Sequence, residues 1–201
     1  MPIIESSLMT LTLWAAFGYF LGSVPFGMVV ARAMGLGNLR DIGSGNIGAT
    51  NVLRTGNKKA AALTLLFDAA KGAVAVLLAR GLAGEDAAQI AGLMAFLGHC
   101  FPVWLSFKGG KGVATFFGLL IALAWPVGIA CCLTWLATAA VMRISSLAAL
   151  VAAVSSAFWM AVLGYPSAIG LALALTAIVL WRHKENVSRL RTGIEPKIGK
   201  K

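Results

Sequence analysis

Acidic side chains are scarce in this chain: seven Asp and Glu stand against 17 Lys and Arg in 201 residues, with two histidines and three cysteines. Only 12% of the residues are charged and 59% are hydrophobic, against roughly 25% charged in a soluble domain. The apolar residues fall in long runs, which excludes a water-soluble globule and makes the chain a polytopic membrane protein, read as one domain over 1–201. Cys100, Cys131 and Cys132 are odd in number and sit in apolar surroundings without metal-ligand spacing, so neither a disulfide framework nor a metal site is expected. No basic segment precedes the first long apolar run, so no cleavable signal peptide is expected. The net charge of +10 does not point to nucleic acid. Arg32, Arg40, Arg54, Lys58 and Lys59 lie in 32–59 and seven more basic residues lie in 182–201. Lys and Arg beside membrane helices mark cytoplasmic loops and attract anionic lipid head groups.

The chain can be divided on its apolar runs. Residues 8–31 read as a first span kinked at Gly22, Ser23 and Pro25. Residues 60–80 read as a second, with Asp68 and Lys71 three apart on one helical face, and 87–106 as a third. The run 113–142 would make about 45 Å of helix, longer than the ~30 Å hydrocarbon core but short of two full crossings. Trp125-Pro126 breaks it near the middle. A turn there keeps 32–59, 107–112, Arg143 and the basic tail on one side, as the distribution of positive charge favours. Two further spans, 146–163 and 166–181, meet at Gly164-Tyr165-Pro166. The expected fold is all-α, a polytopic integral membrane protein with about seven transmembrane or partly spanning helices, amino terminus outside and carboxyl terminus cytosolic.

Three polar clusters interrupt these runs. The first is GSGNIGATNVLR, residues 43–54. Gly43, Gly45 and Gly48 fit GxGxxG, a spacing that lets backbone N–H groups approach a phosphate. Ser44, Asn46, Thr50 and Asn51 add hydroxyl and amide donors, and Arg54 adds a planar fork suited to phosphate oxygens. No βαβ context surrounds the pattern, so dinucleotide binding is excluded, and the position of Asp68, 20 residues past Gly48, is chance. An anion cradle and an ordinary interfacial loop both remain open on spacing alone. The second cluster, GHCFPVWLSFKGGKGVAT, holds His99, Lys108, Gly109, Gly110, Lys111 and Gly112 and lacks the Walker spacing. The third, RHKENVSRLR, holds His183, Glu185 and Asn186. Rich in donors and poor in acids, these clusters suit an anionic substrate, most simply a phosphate. The alternatives are that Lys108 and Lys111 only anchor topology, as Lys197, Lys200 and Lys201 are expected to do, that His99 is a hydrogen-bonded core residue, and that Asp68 and Lys71 are a structural ion pair. An ionisable residue inside the membrane is nonetheless a functional candidate.

These three clusters, in this order and between apolar spans, resemble the three motifs of the bacterial acyl-phosphate:glycerol-3-phosphate acyltransferase (PlsY) family, over essentially the whole chain. The resemblance implies transfer of a fatty acyl group from acyl phosphate to the 1-hydroxyl of glycerol 3-phosphate. The products are lysophosphatidic acid and phosphate, made without a cofactor at the cytosolic face of the bacterial plasma membrane. It implies a catalytic set of Ser44, Arg54, Lys111, His183 and Asn186. Substrate contacts are implied for Gly43, Gly45, Asn46, Gly48, Thr50, Asn51, His99, Lys108, Gly109, Gly110 and Gly112, with Asp68, Lys71 and Glu185 beside them. The partners implied are glycerol 3-phosphate, fatty acyl phosphate and membrane lipids. The HxxxxD pattern of another glycerol-phosphate acyltransferase class is absent, since Trp104 and Ser188 stand five residues after His99 and His183. A small multipass anion transporter or channel is the alternative. It would show charged or broken segments at matching positions in two halves, yet residues 113–181 hold a single charge, Arg143.

Overall fold

Every regular element in the computed structural model, which describes residues 2–199, is helical. Among the described residues, three helices reach membrane-crossing length unbroken, Lys58–Ala83, Trp125–Met142 and Ser145–Val162, and Glu85–Leu105 reaches it across a break at Phe101-Pro102. Leu8–Ala33 is a broken candidate span, and Pro166–Arg182 with Lys184–Arg191, bent by 63°, is a further one. Val113–Leu123 is apolar but shorter. The seven apolar segments expected from the sequence are thus all helical, one of them only partly spanning. Lys200 and Lys201 lie outside the described residues.

The chain packs as two compact units, one comprising Ile4–Leu123 and the other beginning at Ala124. In the first, α1 (Leu8–Gly22) starts at Ser7, whose side chain accepts Thr10 N, and stops before Pro25. The chain resumes as α2 (Phe26–Ala33). The expected kink is a full break, because Pro25 supplies no N–H to continue the ladder. Broken backbone at membrane depth needs partners, and it has them: Trp104 Nε1 donates to Ser23 O and Lys71 Nζ to Val24 O, each at 2.8 Å.

Helix α3 (Ala49–Leu53) is a single short piece, and α4 (Lys58–Ala83) begins on Asn57, whose side chain accepts Ala60 N. Gly84, at φ +104°, turns the chain into α5 (Glu85–Cys100). Helices α1 and α5 pack backbone to backbone. A Cβ at Gly22 would lie 2.0 Å from Ala95 O, and one at Gly98 2.2 Å from Tyr19 O, the small-residue contact by which membrane helices approach closely. Helix α6 (Val113–Leu123) lies against α4 in the same manner, with Gly118 over Ala69 O. Its eleven residues rise only about 16 Å. Arg80 caps its end, donating to Ala122 O at 2.7 Å and Leu123 O at 2.8 Å while pairing with Glu85. The break expected at Trp125-Pro126 falls at Ala124, where Pro126 takes up the first turn of the next helix, a position that needs no N–H donor.

In the second unit α7 (Trp125–Met142), α8 (Ser145–Val162) and α9 (Ile169–Arg182) follow one another, and α10 (Lys184–Arg191) continues after a bend at His183. Thr176 Oγ1 donates to Ala153 O and Trp159 Nε1 to Thr134 Oγ1. Ile198 N donates to Arg143 O and Arg143 Nη2 to Ile198 O, so the tail is tied to the α7–α8 turn.

Candidate active site

The polar connection between α2 and α4 is built around Asn51, which is buried in α3. Its Nδ2 donates to Leu39 O at 3.0 Å and Asn46 O at 2.7 Å. Its Oδ1 accepts from Ser44 N at 3.0 Å, Ser44 Oγ at 3.4 Å and Arg54 Nη1 at 3.3 Å. One buried amide therefore fixes both the serine and the arginine, whose side chains remain exposed. The Asn51 donors expected to meet phosphate are given to backbone carbonyls. Gly43, at φ +54°, is required: a Cβ there would lie 2.6 Å from Arg54 Cδ and 2.7 Å from Asn51 Oδ1. Gly45 is also left-handed, Gly48 N donates to Asn46 Oδ1 at 3.1 Å, and Thr50 is exposed.

The connection between α5 and α6 doubles back on the end of α5. Gly109 N donates to Cys100 O and Gly110 N to His99 O, each at 3.1 Å. A Cβ on Gly109 would lie 2.1 Å from His99 O, one on Gly110 2.2 Å from His99 Nε2, and one on Gly112 2.2 Å from the Phe96 ring. These glycines permit close packing of the loop on its own supports. Ser106 and Phe107 take left-handed φ values of 50° and 61°, a strained pair for non-glycine residues, immediately before Lys108. Lys108 is exposed and Lys111 half-buried.

Arg40 joins the two loops. Its Nη1 donates to Gly45 O at 3.2 Å and its Nη2 donates to Lys108 O. In the sequence Arg40 counts only as one more positive charge; nothing local marks it as a bridge. Beneath the loops Asp68 and Lys71 pair at 2.8 Å, and His99 Nδ1 stands 3.5 Å from Asp68 Oδ1. All three are buried. The ion pair read as one alternative in the sequence is present, with a histidine of the second cluster added to it.

The third cluster belongs to the second unit. His183, at the α9–α10 bend, donates from Nδ1 to Val179 O at 2.8 Å. Asn186 is buried and donates to Glu195 Oε1, and Glu185 is exposed. Glu195 also accepts from Ser146 Oγ and Arg189 Nε, each at 2.6 Å. Burial pushes the Glu195 carboxyl up, but its donors and the Arg189 charge outweigh burial and hold it below the ordinary value. Glu195 lies past the third motif among tail lysines, and no sequence signal set it apart. A carboxyl lowered by folding stabilises fully above its unfolded value and loses that contribution as pH falls through its folded value. Glu195→Gln is therefore expected to lower the thermal midpoint at pH 7, by the equivalent of about 1.5–3 kcal/mol for charged hydrogen bonds. The gap from the unsubstituted protein should close as the pH is taken down through the carboxylate range; a gap independent of pH refutes the charge assignment.

A family model described as "Glycerol-3-phosphate acyltransferase" matches residues 12–193. Curated glycerol-3-phosphate acyltransferases from Ruegeria sp. (strain TM1040) and Ruegeria pomeroyi are 69% and 66% identical over 201 residues, covering 100% of this chain and 100% and 99% of theirs. The crystal structure of PlsY (YgiH), an integral membrane glycerol 3-phosphate acyltransferase, in its glycerol 3-phosphate form superposes with a TM-score of 0.89 at 40% identity, covering 94% of this chain and 96% of that one. Its lysophosphatidic acid form gives 0.86 at 37% identity over 94% and 95%.

Proposed function

Because the chain belongs to the glycerol-3-phosphate acyltransferase family, we propose that it draws the acyl group from a fatty acyl phosphate and places it on the 1-hydroxyl of glycerol 3-phosphate. It is an integral, multi-pass membrane acyltransferase that yields lysophosphatidic acid. We take residues 1–201 as one functional unit, working at the cytosolic face of a bacterial plasma membrane. The observation that carries the site assignment is the buried Asn51 amide, which holds Ser44 and Arg54 together in a loop that Arg40 ties to Lys108. Two groups of phosphate donors, Ser44 with Arg54 and the loop bearing Lys108 and Lys111, suit a reaction in which both substrates bring a phosphate. By the family resemblance His183 and Asn186 assist with glycerol phosphate.

Acyl phosphate is a mixed anhydride. The glycerol oxygen attacks the acyl carbon, the bond from that carbon to the phosphate oxygen breaks, and phosphate leaves with the electron pair. No covalent acyl-enzyme is needed, so the protein's work is positioning and stabilisation of negative charge. The proton of the attacking hydroxyl goes to the departing phosphate, whose second pKa is about 6 by analogy with phosphomonoesters. His99 is engaged with Asp68 below the loop. The direct test incubates purified protein with acyl phosphate and glycerol 3-phosphate and measures lysophosphatidic acid, with acyl-CoA as the control donor. Product from acyl-CoA alone refutes the donor assignment. His183→Asn and His99→Asn, which keep a hydrogen-bonding group but remove the base, are each expected to retain substantial kcat. A fall of about 10⁴-fold, the upper end for loss of a general base, in a folded variant that still binds substrate would make that histidine the base.

The distribution of positive charge supports the cytosolic orientation. Single cysteines replacing Ser145 and Thr192 in a cysteine-free background are expected to resist an impermeant thiol reagent added outside intact cells. Labelling of either one refutes the orientation.

A further inference from the structure

Nothing in the chemistry above requires two charges buried inside α4, yet Asp68 and Lys71 are each only 2% exposed. A buried ion pair is weak support for stability, because desolvation offsets the attraction and apolar residues of similar volume serve as well or better. The surroundings of Asp68 suggest another use. Its side chain faces His99 Nδ1 at 3.5 Å, and His99 is where the glycine–lysine loop begins. Its main-chain carbonyl accepts Thr115 Oγ1 at 2.8 Å, and Thr115, fully buried in the first turn of α6, is where that loop ends. A single residue of α4 thus grips both ends of the 101–112 loop.

The contacts on either side extend this grip. The His99 ring forms the floor of the loop, so close under Gly110 that a Cβ there would lie 2.2 Å from Nε2. Lys71 neutralises Asp68 and at the same time donates to Val24 O in the α1–α2 break, while Trp104 of the loop donates to the neighbouring Ser23 O. Gly72, the next residue of α4, lets the helix approach so closely that a Cβ would lie 2.7 Å from Thr115 O.

We propose that Asp68, with Lys71 as its counter-ion, is a positioning residue for the acyl-transfer reaction. Its carboxylate sets the loop that presents Lys108 and Lys111 by holding it at His99 on entry, while the backbone carbonyl of the same residue receives Thr115 on exit whatever side chain it carries. This rests on the reading of that loop as the phosphate-binding element. Asp68 does not touch substrate; it fixes where the lysines stand.

The test replaces the pair with apolar residues of similar size, Asp68→Leu with Lys71→Met, in the full-length protein. A purely structural pair predicts unchanged or raised thermal stability and unchanged kinetics. The positioning role predicts a folded enzyme whose kcat/KM for glycerol 3-phosphate falls by about 10- to 100-fold, the scale of a 1 Å misplacement. The loss should fall mainly on KM, with faster amide hydrogen exchange confined to 101–112. Wild-type KM, kcat and exchange in the folded double variant overturn the proposal. Should that variant fail to fold, Asp68→Asn decides, because it keeps size and backbone and removes only the charge facing His99 and Lys71: faster exchange in 101–112 supports the proposal and an unchanged rate overturns it. Exchange is measured without substrate, so an unsubstituted protein that makes no lysophosphatidic acid refutes the functional reading while leaving this comparison decisive.

Discussion

Alanine at Arg54 or at Lys111 is expected to cost about 2–5 kcal/mol in transition-state binding, read as the fall in kcat/KM, while the folded protein purifies in normal yield. The Arg54 guanidinium is held by Asn51 Oδ1 through one nitrogen at 3.3 Å, so its fork is oriented while its side chain remains exposed. Lys111 is presented from a loop whose glycines are packed onto α5. Arg54→Lys should recover only part of the loss, because an ammonium cannot reproduce the planar two-pronged contact. If the two residues served only to fix topology, the alanine variants would insert poorly and whatever inserted would work normally. Activity per folded molecule separates these outcomes, and near-normal specific activity refutes the phosphate-binding role.

The other large effect is expected at Gly109. Its missing Cβ would meet His99 O at 2.1 Å and Cys100 C at 2.7 Å, both backbone atoms with nowhere to go. Gly109→Ala must push the loop off α5, taking Lys108 and Lys111 with it. A loss of at least about 100-fold in kcat/KM is expected, together with a lower thermal midpoint. Gly81, in α4 with open space around it, is the control: Gly81→Ala should leave activity unchanged and stabilise the helix by up to about 1 kcal/mol. Wild-type kinetics for Gly109→Ala would mean that the loop does not need its observed seat.

The helical spans were legible because the apolar runs are long and their breaks carry Pro or Gly, and the three polar clusters stood out against them. The Asp68–Lys71 pair could be read from three-residue helical spacing. What could not be read is which polar atoms face inward. Asn51 and Asn46 look equivalent in GSGNIGATN, yet both donor hydrogens of Asn51 are taken by Leu39 O and Asn46 O. The glycines of GGKG suggest room for a phosphate, but Gly109 and Gly110 spend that room on His99. Arg40 and Glu195 act through partners 68 and 49 residues away, Lys108 and Ser146, and single-sequence periodicity carries nothing at that range.

The break between α1 and α2 also bears on how the chain enters the bilayer. Its Ser23 carbonyl accepts from Trp104, 81 residues further along the chain, while Val24 O has Phe26 N as a local donor and gains Lys71, 47 residues further along. At about 5–20 residues per second of synthesis, the first span waits several seconds for its partners. During that time the Ser23 carbonyl, bare in hydrocarbon, would cost several kcal/mol. The nascent first span therefore has reason to stay beside water or the insertion machinery until α4 and the end of α5 have emerged, making the biogenesis of this half of the protein a concerted step.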